Sequence, residues 1–126
     1  MRKVVLSLLA AGAFISAPVL AMNHSLNAGV SVEYELPVNA PEVFTNFTFF
    51  KVHAICKIQT QDESNVIHIK ALNRSGQVNG QVINTGDELD LTLHNGETID
   101  LVAESAAQVE LTNKGEHLIK AKCQIN

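Results

Sequence analysis

From Val30 onward apolar and polar residues alternate with a period of two, and turn residues break the alternation roughly every ten positions. That constrains the chain more than any other feature, because only extended strands send successive side chains to opposite faces. Ile119, Ala121, Cys123 and Ile125 share one face of a last segment, with Lys120 and Lys122 on the other. Val52, Ala54, Cys56 and Ile58 repeat the pattern against His53, Lys57 and Gln59, with Ile55 the exception. Ile67, Ile69 and Ala71 oppose His68 and Lys70, and Val30, Val32, Tyr34 and Leu36 oppose Ser31, Glu33 and Glu35 before Pro37 ends the run.

Other segments are less regular. Val43 to Phe50 carries four aromatics and predicts a strand with Phe47 and Phe49 on one face, Phe44 and Phe50 on the other. Such a strand is buried on both sides or offers one face to a partner. Gln77 to Ile83 predicts a weaker strand in which Gly80 marks a bulge. Leu89, Leu91 and Leu93 flank His94-Asn95-Gly96-Glu97 on one side, Ile99 and Leu101 on the other. Asn-Gly tolerates positive φ, so this predicts a hairpin with a type I′ turn. Val109 and Leu111 precede a further turn at Asn113-Lys114-Gly115, and Ala103 to Val109 holds at most one helical turn. Seven to nine short strands without a helix predict an all-β domain, an antiparallel β-sandwich of immunoglobulin-like architecture, with a partly open barrel as the other layout.

The first 21 residues read as a secretory signal peptide. Arg2 and Lys3 precede an uncharged run from Val4 to Ala17, then Pro18-Val19-Leu20-Ala21. Removal after Ala21 leaves Met22 as the new N-terminus, residues 22–29 as a flexible or edge-added arm, and 30–126 as one domain. The short, alanine-rich leader looks bacterial, which places the product in the periplasm or outside the cell. Cys56 and Cys123 then read as one disulfide. It closes a loop of about 66 residues, worth roughly 4 kcal/mol by chain entropy. Loss of Arg2 and Lys3 leaves seven basic against 13 acidic residues, a formal charge of −6. An acidic surface lacks the basic stripe that nucleic acid requires and does not suit attraction to an anionic membrane, so neither nucleic-acid binding nor stable membrane insertion is expected.

The sharpest chemical motif is Met22-Asn23-His24. A free α-amine, two backbone amides and the His24 imidazole suit a square-planar Cu(II) or Ni(II) site. His53 and His68 point outward on predicted strands, and pairing of those strands would bring them together as two ligands of a zinc or copper site. His94 and His117 lie apart from them. Asp62-Glu63 and Asp87-Glu88 with Asp90 lack the spaced loop of an EF-hand. There is no nucleophile elbow, zinc-protease motif or phosphate loop, and Ser75 beside Gly76 reads as a turn serine. Asn23-His24-Ser25, Asn46-Phe47-Thr48 and Asn73-Arg74-Ser75 match glycosylation sequons and are read as chance.

The expected function is non-enzymatic binding of a protein or surface ligand, through Phe44, Phe47, Phe49 and Phe50 and through strand edges, which also permit a homodimer. Alternatives are a small Cu(II)/Ni(II) protein and an enzyme inhibitor presenting Asn73–Gly76 or His94–Glu97.

Overall fold

The computed structural model describes residues 22–26 and 29–126. The segment read as a signal peptide, and Asn27 and Ala28, lie outside them. Eleven strands and no helix make up the described residues: β1 (Met22–Ser25), β2 (Val30–Leu36), β3 (Glu42–Thr45), β4 (Val52–Thr60), β5 (Ser64–Asn73), β6 (Gly76–Val78), β7 (Gln81–Ile83), β8 (Glu88–His94), β9 (Thr98–Ala103), β10 (Gln108–Asn113) and β11 (Ile119–Ile125). They form two sheets, one ordered β1-β3-β10-β5-β8 and the other β2-β11-β4-β9-β6-β7. Every named pairing is antiparallel except β1 with β3.

The period-two faces become the core. Ile58, Ile67, Ile69, Ile119 and Ile125 are wholly buried, and Leu36, Val52 and Ile99 nearly so. These side chains come from the facing surfaces of both sheets, so burial of each, worth about 1.5–3 kcal/mol, requires the opposite sheet. Lys120, Lys122, Glu33 and Glu35 alternate outward on β11 and β2, as their sequence positions predict.

Almost every connection changes sheet. Read against the strand orders, β1 to β5 alternate between the two layers, and so do β7 to β11. Only β6 and β7 are a hairpin of consecutive strands. The loops therefore gather at two ends of the sandwich. One end carries residues 46–51, 74–75, 84–87 and 104–107. The other carries residues 37–41, 61–63, 95–97 and 114–118.

This arrangement corrects two expectations. Asn95-Gly96 does not close a hairpin, since β8 pairs with β5 and β9 pairs with β4. Gly96 has φ 91° whereas Asn95 is not in the positive region, so the turn is not type I′. The turn arches between the sheets, with Gly96 N donating to Ile58 O at 2.8 Å and Glu97 N to His94 O at 3.0 Å. Pairing with β4 gives β9 six residue partners, from Val52–Ala103 to Lys57–Thr98, and buries Ile99. The type I′ geometry occurs instead at Asn79 and Gly80, with φ of 49° and 84°, where Gly80 makes the β6–β7 turn rather than a bulge.

Cys56 and Cys123 face each other across β4 and β11 and form the disulfide, both buried. The bridge joins neighbouring strands of one sheet, whereas the immunoglobulin bridge spans two sheets. It links strands far apart in sequence, so it restricts the unfolded chain strongly. Replacing both cysteines by serine is expected to lower unfolding free energy by about 2–5 kcal/mol, measured by denaturant melts. A change below about 0.5 kcal/mol would contradict this role.

Candidate functional site

The aromatic segment resolves into a short strand and a loop. β3 ends at Thr45, and of the four phenylalanines only Phe44 is buried. Phe47, Phe49 and Phe50 are 69%, 98% and 60% exposed on the connection to β4. The extended strand expected through Phe50 is thus corrected, together with the face-sharing it implied.

Asn46 explains where the strand stops. An asparagine side chain competes with the backbone ladder by bonding nearby peptide groups. Here Asn46 is fully buried. Its Nδ2 places two protons among three carbonyls, Phe50 O at 2.8 Å and Ala103 O and Glu104 O at 3.1 Å each. Its Oδ1 accepts from Thr48 N at 2.9 Å, an Asx turn. Thr48 Oγ1 lies 2.6 Å from Asn46 Oδ1 and 2.8 Å from Phe50 O, within reach of both with its one proton. The Asn46 peptide is also held, since its N–H donates to Ala107 O and its carbonyl accepts from Ala106 N. Ser105 Oγ donates to Thr48 O at 2.6 Å. The β9–β10 connection thereby clamps the aromatic loop from beneath. Its deeply buried, fully bonded amide also takes Asn46 out of any role as a sequon acceptor.

The N-terminal motif is engaged differently. Met22–Ser25 is an edge strand, parallel to β3, which is the edge-added alternative of the two read for the arm. The His24 ring stacks on Phe44 with centroids 4.8 Å apart and meets Tyr34 edge-on at 5.2 Å. His24 Nε2 lies 2.7 Å from Oε1 of Glu42, a carboxylate that is almost wholly buried. Tyr34 donates its hydroxyl proton to Ser25 O at 3.2 Å, and burial pushes its phenol above the ordinary pKa. Along a strand, successive N–H groups point to opposite edges. The Asn23 and His24 amides therefore cannot meet one ion in a square plane unless β1 is peeled from β3.

The remaining histidines are dispersed. His53 is on β4 and His68 on β5, in different sheets, so the strand pairing that would have brought them together does not occur. His53 Nε2 is 2.6 Å from Asp100. His68 sits between Glu88 and Asp90, each 2.7 Å from one ring nitrogen. His94 contacts Glu97 at 3.0 Å and His117 contacts Asp62 at 2.7 Å. Carboxylates on opposite sides of the His68 ring hold it without converging on one point. Among the described residues no three His, Cys, Asp or Glu side chains are grouped to hold a metal. In the arch at residues 94–97 the His94 amide, 2.6 Å from Glu97 Oε1, holds that carboxyl below its ordinary range. Ser75 lies at the β5–β6 connection, where its carbonyl accepts from Glu104 N at 3.2 Å.

Between the sheets lie apolar cavities of about 40 and 20 Å³. Spaces of that size hold about one water and no substrate. Open surface depressions of about 530 Å³, between Lys57, Gln59, Asn95 and Lys120, and about 130 Å³, beside Lys51 and Glu104, lie outside the core; the most exposed apolar feature is the aromatic loop, which projects from one end of the sandwich. The chain matches no protein-family model, and no curated protein or solved structure is similar to it at a significant level.

Replacing Asn46 by alanine removes a buried donor to the Phe50, Ala103 and Glu104 carbonyls and the acceptor of the Thr48 N–H, and is expected to cost more than about 2 kcal/mol. Phe49→Ser removes a side chain that packs on nothing and is expected to change stability by less than about 0.5 kcal/mol. Chemical denaturation of both variants measures the contrast, and equal losses would contradict it.

Hydrogen bonds to Asp90, then to Glu88, raise the His68 pKa above its ordinary 6.5 despite opposing desolvation. A raised value means that the protonated form is favoured by folding. That stabilisation is complete below the unfolded pKa and fades as pH rises through the folded one. The stability deficit of His68→Gln is therefore expected to be larger near about pH 5.5 than near about pH 8.5, read from thermal melts. A deficit independent of pH would contradict it.

Proposed function

We propose that this chain is an exported, non-enzymatic interaction module that engages a protein or surface ligand through the Phe47–Phe50 loop. One observation carries the reading: three exposed phenylalanines stand on a loop whose backbone is held by a buried asparagine. Exposed apolar side chains gathered in one place mark contact sites. Holding them rigid beforehand lowers the ordering cost of binding. Presentation of loops at the end of a two-sheet frame is how immunoglobulin-like domains bind, which supports placing this architecture in that group. Arg2, Lys3 and the apolar run after them support export, and so does a disulfide, which persists in oxidising compartments.

Strand edges fit a partner less well. The outer strands β2 and β8 carry Glu33, Glu35, Glu88 and Asp90, charges that discourage edge-to-edge pairing. β7 and β1 are only three and four residues long.

Immobilised mature protein is to be tested on a glycan array and against envelope extract, beside a triple variant Phe47→Ser, Phe49→Ser, Phe50→Ser. The expected result is a retained ligand that the variant loses by at least about tenfold. Equal retention by both proteins, or none by either, overturns the reading.

A further inference from the structure

We infer that the surface this loop engages is a phospholipid bilayer of mainly zwitterionic headgroups, entered by Phe47, Phe49 and Phe50 with Lys51 and Arg74 against the headgroup phosphates. The inference rests on the interaction reading above and names its partner.

Area separates a membrane from a folded partner. Three rings exposed to 69%, 98% and 60% offer about 450 Å² of apolar surface in all, taking about 200 Å² per ring. A stable protein interface takes about 800 Å² from each side. Shape points the same way. Phe49 is 98% exposed, so a protein partner needs a deep pocket made for it, whereas a fluid bilayer accepts any convex apolar tip.

The backbone adds a more selective argument. A loop entering the acyl boundary leaves water behind, so its peptide groups must find partners within the protein. Here the Asn46 N–H and C=O, the Thr48 N–H and C=O and the Phe50 C=O are bonded internally, to Ala107, Ala106, Asn46, Ser105 and Asn46 respectively, whereas the peptide groups of Phe47 and Phe49 have no internal partner among the described residues, which keeps the loop backbone at the level of the hydrated headgroups while the rings go deeper. Insertion by about 5–10 Å is the depth that amphipathic interfacial elements reach.

Charge selects the headgroup. No carboxylate occurs between Glu42 and Asp62, where the only charged residues are Lys51 and Lys57. Lys51 and Arg74 are exposed at the loop's end of the sandwich, and their long stems allow the charged heads to stay with phosphates while the rings go deeper. Asp87 and Glu104 lie at the same end, so the local charge is balanced. With a formal charge of −6 after the leader, attraction to a strongly anionic membrane is disfavoured, and phosphatidylcholine and phosphatidylethanolamine are the matching lipids.

The test is cosedimentation of mature protein with large unilamellar vesicles of phosphatidylcholine and phosphatidylethanolamine. Wild type is expected to pellet with the vesicles, Phe49→Ser to bind about tenfold more weakly, and the triple serine variant to return to background with its melting curve unchanged. Raising the salt is expected to leave most of the binding in place. Wild type remaining in the supernatant, or the triple variant pelleting equally, overturns the inference. So does binding that appears only with anionic lipid and disappears in salt. If vesicles fail while a glycan or protein is still retained through the three phenylalanines, the lipid assignment falls and the interaction reading stands. If the triple variant matches wild type in both assays, both fall.

Discussion

Each sheet of this domain exists only against the other. Apolar faces of about one strand-width cannot be hidden within a single layer, and the chain changes layer at every connection but the β6–β7 hairpin among the described strands. Ile67 and Ile69 of one sheet are buried against Ile58, Ile119 and Ile125 of the other. Long-range pairing of this kind closes large loops before contacts repay the entropy, and it folds slowly for that reason. The disulfide joins β4 to β11 inside this framework, connecting strands separated by 67 positions.

Sheet crossing leaves peptide groups at the ends of the sandwich without ladder partners, and buried asparagines supply them. Asn113, wholly buried, donates to Leu36 O and His117 O and accepts from Gly115 N at one end. Asn46 does the same work at the other, beneath the phenylalanines. The difference lies in what each hub supports. Around Asn113 the exposed residues are mainly polar, Lys114, Glu116 and His117, with Val38 and Leu118 only partly uncovered. Around Asn46 they include Phe47, Phe49 and Phe50 beside Lys51 and Glu104. One element of structural chemistry thus yields a polar cap and an apolar tip, and the proposed function follows from the second.

Strand positions were legible in the sequence because burial on one face imposes a period of two. Val30–Leu36 is the first strand of the alternation and is β2 in the structure, and the face shared by Val52, Ala54, Cys56 and Ile58 is the buried face of β4. Partners were not legible, since alternation says which side a residue faces and not which strand lies beside it. Two Asn-Gly pairs show this: residues 79–80 make the tight hairpin and 95–96 an arch, and the pairing of β9 with β4 decides the second. The aromatic segment misled for a related reason. Phe44 to Phe50 alternates well enough for a strand, but Asn46 diverts the backbone two residues later. Asn-x-Thr was visible as a motif, and reading it as an Asx turn rather than as a chance sequon was the available signal.

The central claim is that the aromatic tip is part of the folded framework and not a loose connection. Amide hydrogen exchange of the mature, oxidised protein tests it most directly. The account predicts that the amides of Asn46, Thr48, Ala106 and Ala107 exchange with protection comparable to those of Ile58 and Ile69 in the core. Exchange of those four amides at the rates of an open chain, with the core still protected, would contradict it.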